Sequence, residues 1–217
     1  MSPYFPLLMT LVVAYLLGSV SGSLFLGRRR GVDIRTQGSG NAGGTNAFRT
    51  MGWRFALGVV LIDMGKGALA AGVAVWAQTR WGGNSAIALD WAWLAALLAA
   101  VGHTWPVYHG FRGGKGAGTL IGALCVIWPT ALMPCLIVWL LVLTMTGFVG
   151  LSTVLAAGIL PVLAWVRGDA PLWFALLALG FILFTHRSNL LRLARGNEHR
   201  FARVRIWHHA WRYLQGH

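Results

Sequence analysis

The feature that most constrains this chain is a succession of apolar runs, each near the ~20 residues that a helix needs to cross a bilayer. They fall at about 4–26, 55–77, 86–104, 115–130, 131–148, 150–167 and 171–190. An open strand would leave backbone N–H and C=O groups unpaired in lipid, so only helices or a closed barrel can span. Barrel strands alternate polar and apolar residues, and these runs do not. The expected fold is therefore an all-α integral membrane protein with seven transmembrane helices, forming a single domain over 1–217. Composition agrees: 57% of the residues are hydrophobic, 11% are charged and 12 are Trp.

The charge pattern gives an expected orientation. The net charge is +13, and in a membrane protein such an excess reports which loops stay in the cytoplasm. Arg28, Arg29, Arg30, Arg35, Arg49 and Arg54 follow the first span, and Arg112 and Lys115 follow the third. The tail carries Arg187, Arg192, Arg195, Arg200, Arg203, Arg205 and Arg212. With seven spans and the N-terminus outside, all of these lie on the cytoplasmic face, leaving only Arg80 and Arg167 opposite and Lys66 within the second span. No basic residue precedes Arg28, so the first span reads as a retained helix. In the tail, Phe201, Val204, Trp207, Trp211 and Leu214 follow helical spacing opposite arginines, the pattern of a basic amphipathic helix lying in the membrane surface. Cys125 and Cys135 sit in apolar runs and read as small buried hydrophobes.

Two glycine-rich segments on that face point to an anion site. In "DIRTQGSGNAGGTNAFR", Gly38, Gly40, Gly43 and Gly44 allow the backbone to bring N–H groups close to an oxygen-rich ligand. Ser39, Asn41, Thr45 and Asn46 add neutral donors, and Arg35 and Arg49 add charge suited to phosphate. The spacing approaches a Walker loop, but Gly44 stands where its lysine would be, which argues against nucleotide hydrolysis. In "GHTWPVYHGFRGGKGAGT", Lys115 stands among Gly113, Gly114, Gly116 and Gly118 where the fourth span begins, with Arg112 beside it. His103 reads as a base or as a structural, hydrogen-bonded histidine. Asp63 and Lys66, at i and i+3 inside the second span, are candidates for function as intramembrane charges, or a pair that neutralises itself.

A third segment, "THRSNLLRLARGNEHRF", places His186 and Asn189 on one helical face. No histidine is followed five positions later by Asp, which excludes the dyad of thioester-using acyltransferases, and five scattered carboxylates form no cluster for a metal. The site is expected to work without metal or cofactor.

The segments "GVDIRTQGSGNAGGTNAFRTMG", "GHTWPVYHGFRGGKGAGT" and "HRSNLLRLARGNEHRF" resemble the three signatures of the bacterial acyl-phosphate:glycerol-3-phosphate acyltransferases, in the same order over the whole chain. The resemblance implies a seven-helix enzyme of the bacterial inner membrane with a cytoplasmic active site. It would transfer a fatty acyl group from a long-chain acyl phosphate to the sn-1 hydroxyl of glycerol 3-phosphate, giving lysophosphatidic acid. It also implies that Ser39, Asn41, Thr45 and Asn46 form a phosphate loop, that Arg49 and Lys115 are cationic phosphate ligands, and that His186 and Asn189 lie near the glycerol. Ser39, His186 and Asn189 are the candidate catalytic residues. Arg112 stands where the family usually has Lys, and Thr153 is a hydroxyl available before the sixth span. Partners are the two substrates and membrane lipids, without nucleic acid, and the chain is expected to be a monomer. An anion transporter using the same basic pocket is the alternative, against which stands the absence of an internal repeat.

Overall fold

A computed structural model describes residues 4–82 and 91–201. Every regular element among them is helical: α1 (Tyr4–Gly18), α2 (Gly22–Arg28), α3 (Gly44–Met51), α4 (Trp53–Trp81), α5 (Trp91–Thr104), α6 (Ala117–Ile127), α7 (Leu132–Thr146), α8 (Val149–Arg167) and α9 (Leu172–Ala194). The amphipathic tail lies outside the described residues beyond Phe201, as does the start of the run at 86–104.

Among the described residues, four helical stretches are long and apolar enough to cross a membrane: Trp53–Trp81, Pro129–Thr146, Val149–Arg167 and Leu172–Ala194. A fifth is α1 with α2, which together have the length but bend by 48°. The run at 4–26 is thus broken, because Gly18, Ser19 and Ser21 interrupt it: Ser21 is extended and its hydroxyl accepts from the Leu24 amide to start α2. The run at 115–130 shortens to the 11 residues of α6. Its first residues are held in a glycine turn, and at its other end Trp128 leaves the helical conformation just before Pro129. Within the described residues α5 has 14 residues.

The chain divides into two compact units, Met1–Pro129 and Thr130–His217. In the first, α1, α4, α5 and α6 pack through small residues. Ala14, Ala70, Ala74, Ala77, Ala92, Ala95 and Ala99 form one buried cluster with Trp91. Apolar burial gives little net drive between helices in lipid, so close backbone approach and dispersion must hold them. The contacts fit that requirement: a Cβ at Gly18 would overlap the Ala99 backbone, and one at Gly122 would overlap that of Met64. Large apolar side chains such as Leu61, Trp76 and Ile121 face outward.

In the second unit α7, α8 and α9 follow one another. Gly147 and Gly168, both left-handed, end α7 and α8. Trp165 and Val166 are among the most exposed side chains, at 78% and 73%, which suits a lipid-facing surface.

Candidate active site

The two glycine segments come together within the first unit. Asp33 opens a short 3-10 turn, Ile34–Thr36, by accepting from the Arg35 amide, and Arg35 folds back on it with an ion pair of 2.7 Å. The same guanidinium extends Nη1 to the carbonyl oxygens of His109 and Arg112, at 3.1 and 3.2 Å. Every nitrogen of Arg35 is therefore spent on protein. Besides the phosphate role expected of it, Arg35 is a strap that ties the first loop to the second. Its hydrogen bonds hold the Asp33 carboxyl below the usual carboxylate range. His109 is pushed down from the ordinary imidazole value, chiefly by partial burial and then by Arg35.

Asn46 is likewise employed inside the loop. It is 2% exposed; its Nδ2 donates to the carbonyls of Ile34 and Gln37 at 3.1 and 2.9 Å, and its Oδ1 accepts from the Ser39 amide at 2.9 Å. One side chain thereby closes the turn that carries Ser39. Gly38 must be glycine at this point, with φ +56° and no room for a Cβ beside Asn46 Oδ1.

Four of the loop glycines spend their amides inside the protein. Gly40 and Gly43 donate to Gln37 and Asn41 carbonyls, and Gly113 and Gly114 donate to those of Thr104 and His103. Their part is close packing: a Cβ at Gly114 would overlap His103 Nε2 and press on the Ala42 carbonyl. Gly114 is thus the point where the two loops meet.

The available donors lie one step further along, at two helix starts. The N-cap of α3 is Gly43 and that of α6 is Gly116, and neither has a side-chain cap. The first bonds inside these helices are Ala47 N to Gly43 O and Leu120 N to Gly116 O. The amides of Gly44, Thr45 and Asn46, and of Ala117, Gly118 and Thr119, thus have no acceptor within their helices. Two helix N-termini carry partial positive charge toward an anion. Arg49 sits in the last turn of α3 and Lys115 directly before the α6 cap. Asn41, Thr45, Arg49 and Lys115 are half-buried, and Ser39 and Arg112 are exposed. Thr119, which the sequence reading passed over, buries its hydroxyl at the α6 start without a hydrogen-bond partner.

His103 is 3% exposed and belongs to a buried cluster with Asp63 and Lys66. The Asp63 and Lys66 charges do pair, at 3.1 Å. Their third partner, His103, lies 2.8 Å from the ammonium.

In the second unit, His186 on α9 is buried, with Nδ1 2.9 Å from the Ile182 carbonyl. A carbonyl can only accept, so Nδ1 carries the proton and Nε2 of a neutral ring is the basic nitrogen. One turn on, Asn189 Nδ2 donates to Glu198 Oε1 at 2.6 Å, and Glu198 Oε2 accepts from Arg192 Nε at 2.7 Å. The Glu198 side chain is 3% exposed. Reading the sequence missed it, although an acid amid so many arginines was a signal of pairing. Gly150 on α8 lies against Asn189, where a Cβ would crowd the amide. Thr153 is occupied within its own unit: it donates to Val149 O and accepts from Trp139 Nε1.

Comparison with known proteins settles the lineage. A family model described as glycerol-3-phosphate acyltransferase matches residues 8–196. The chain belongs to the glycerol-3-phosphate acyltransferase family. It is 41% identical to the glycerol-3-phosphate acyltransferase of Clostridioides difficile over 189 residues, covering 86% of this chain and 91% of that one. With the protein of that name from Chlorobaculum parvum the identity is 37%, covering 88% and 94%. Among solved structures it is similar to PlsY, an integral membrane glycerol 3-phosphate acyltransferase seen in its glycerol 3-phosphate form. The TM-score is 0.82 at 31% identity, over 93% of this chain and 98% of that one. The lysophosphatidic acid form of PlsY gives 0.80. This family membership and the apolar helices make the chain a multi-pass membrane protein.

Proposed function

We propose that this chain transfers a fatty acyl group from acyl phosphate to the sn-1 hydroxyl of glycerol 3-phosphate, releasing phosphate and lysophosphatidic acid. It does so at the cytoplasmic face of the bacterial inner membrane, as a single acyltransferase domain crossing seven times with its N-terminus outside. The observation that carries this reading is a pair of uncapped helix starts, those of α3 and α6, on loops strapped together by Arg35, with Lys115 directly before the α6 cap and Arg49 in the last turn of α3. Both substrates are phosphates, and each needs such a cradle.

The chemistry follows from the donor. An acyl phosphate is a mixed anhydride and already activated, so the protein has mainly to position the reactants and neutralise charge. The glycerol hydroxyl oxygen adds to the acyl carbonyl carbon, the carbon–oxygen bond to phosphate breaks, and the hydroxyl proton passes to a base. Nε2 of His186 or a substrate phosphate oxygen takes that proton. The helix-start amides with Arg49 and Lys115 stabilise the departing phosphate. Ser39 and Asn41 contact substrate from the first loop, Asn189 acts as a polar group near the glycerol, and no covalent acyl-enzyme forms.

The test is acyl transfer to labelled glycerol 3-phosphate by detergent-purified protein with chelator present. Palmitoyl phosphate, palmitoyl-CoA and palmitoyl-carrier protein serve as donors in parallel. Lysophosphatidic acid formed only from the acyl phosphate is the expected result. Product from the thioesters alone would overturn the donor assignment, and an acylated Ser39 trapped with acyl phosphate alone would overturn direct attack.

A further inference from the structure

The first unit buries a charge cluster that the acyl transfer just described does not use. Asp63 and Lys66 on α4 are 4% and 6% exposed, in a helix long enough to span the bilayer. Ionised groups there are costly and must be matched closely by partners. The Lys66 ammonium has three hydrogens and three acceptors. These are the Val20 carbonyl at 2.6 Å, His103 Nδ1 at 2.8 Å and Asp63 Oδ1 at 3.1 Å. The carboxylate is completed by the Gly22 amide at 3.1 Å. Val20 and Gly22 flank the bend between α1 and α2, so the cluster also explains how a broken backbone inside the membrane has its polar groups satisfied.

This arrangement fixes the protonation of His103. Nδ1 is 2.8 Å from Lys66 Nζ and 3.5 Å from Asp63 Oδ1, so its near neighbour is a donor. A proton on Nδ1 would set two donors against each other, and an imidazolium would add a second cation in a buried site. His103 is thus the neutral tautomer with its proton on Nε2. Neither nitrogen is then available as a base, which closes one of the two readings its sequence position allowed. The Nε2 edge lies against Gly114, and the His103 carbonyl accepts the Gly114 amide at 3.1 Å.

We propose that Asp63 and Lys66 are positioning residues of the active site. By locking the ring of His103 they hold Gly114, and with it Lys115 and the start of α6, in register with the Ala42 carbonyl of the first loop. The inference rests on the functional reading above, since the loop it positions is the phosphate cradle. The intramembrane charges act on catalysis through that loop, without touching substrate.

Two measurements test it. The first is nitrogen-15 NMR of the histidine rings in the wild-type protein in detergent, with His103 assigned by its loss in His103→Gln. A protonated Nε2 and an unprotonated Nδ1 are expected; the reverse pattern overturns the proposal regardless of enzyme activity. The second compares Lys66→Met, Asp63→Asn and the double variant in thermal unfolding and kinetics. Each single change leaves a buried charge without its partner and lowers the unfolding temperature; the double variant removes both charges and recovers most of that loss. A merely structural pair would then recover its kinetics too. A positioning pair does not: the double variant keeps a KM for glycerol 3-phosphate raised roughly tenfold, as expected for losing one charge-assisted restraint, with kcat within about threefold. A stable double variant with wild-type KM overturns the proposal. Wild-type protein inactive with every donor would refute the acyl-transfer reading instead, leaving the tautomer measurement to decide the clamp.

Discussion

Replacing Asn46 by Ala tests whether the first loop is built by its own side chains or by its ligand. The native amide makes three hydrogen bonds in a site 2% exposed, joining Ile34, Gln37 and Ser39. A net contribution of about 1 kcal/mol for each gives roughly 3 kcal/mol in favour of the ordered turn. Loss of that amount shifts the turn's equilibrium about 100-fold toward disorder, since about 1.4 kcal/mol is a factor of ten. The expected outcome is a fall in kcat/KM for glycerol 3-phosphate approaching two decades, reached as the open loop takes over the population. Asn46→Asp sharpens the test. It keeps the acceptor for the Ser39 amide but turns a second oxygen toward two carbonyls, so it should lose at least as much as Ala. Amide exchange of a peptide spanning 33–52 should accelerate in both variants while that of α4 and α5 stays near wild type. Native exchange across 33–52 together with a raised KM would mean that Asn46 contacts substrate and that the structural reasoning is wrong.

Other perturbations separate the straps from the ligands. Arg35→Gln should raise the Asp33 pKa toward its ordinary value and lower kcat/KM by about tenfold through loosened loops, measured by carboxyl NMR and steady-state kinetics. Gly114→Ala, which drives a methyl group into His103 and the Ala42 carbonyl, should abolish transfer, whereas Gly110→Ala, in open space, should cost only the strain of its positive φ; the two are compared in one activity assay. Glu198→Ala should destabilise the second unit by about 3 kcal/mol, because Asn189 and Arg192 lose a buried carboxylate together, and Glu198→Gln should recover part of it, read by thermal unfolding. His109 should titrate below its ordinary 6.5. The unfolded chain then binds more protons, so its contribution to stability is full above about 6.5 and is lost as pH falls through the lower folded value, which histidine proton shifts and pH-dependent unfolding can follow.

The helices were legible because a bilayer leaves so few alternatives: a run of Leu, Val and Ala as long as 150–167 becomes α8, and the structure bounds it at Val149–Arg167. Where backbone geometry rather than hydropathy decided, sequence reading overshot. The apolar run at 4–26 passes through Gly18 to Gly22 without a charge to mark the place, and the 48° bend there depends on Lys66 and Asp63 arriving from α4 to satisfy Val20 and Gly22. The run at 115–130 counted glycines that the fold spends on a turn before α6 begins.

The same distinction governs the site. Glycines with hydroxyls, amides and cations in two segments pointed to a candidate site, and the fold brings those two segments together. The site's division of labour could not be read, because each donor in the sequence is equally able to meet a phosphate or a neighbouring carbonyl. Folding settles that competition by position: buried Asn46 and half-exposed Arg35 stand where backbone carbonyls of the turn and of the second loop accept their hydrogen bonds, and leaving the buried carbonyls beside Asn46 unsatisfied would be costly. The amides opening α3 and α6, which have no acceptor within their own helices, are the donors that the proposed site assigns to substrate. His103 is the extreme case, meeting Lys66 from 37 residues away, so the group that fixes its tautomer could not be inferred from its neighbours in sequence. A polar residue in a phosphate loop is therefore assigned as ligand or scaffold by asking which backbone groups would be stranded without it.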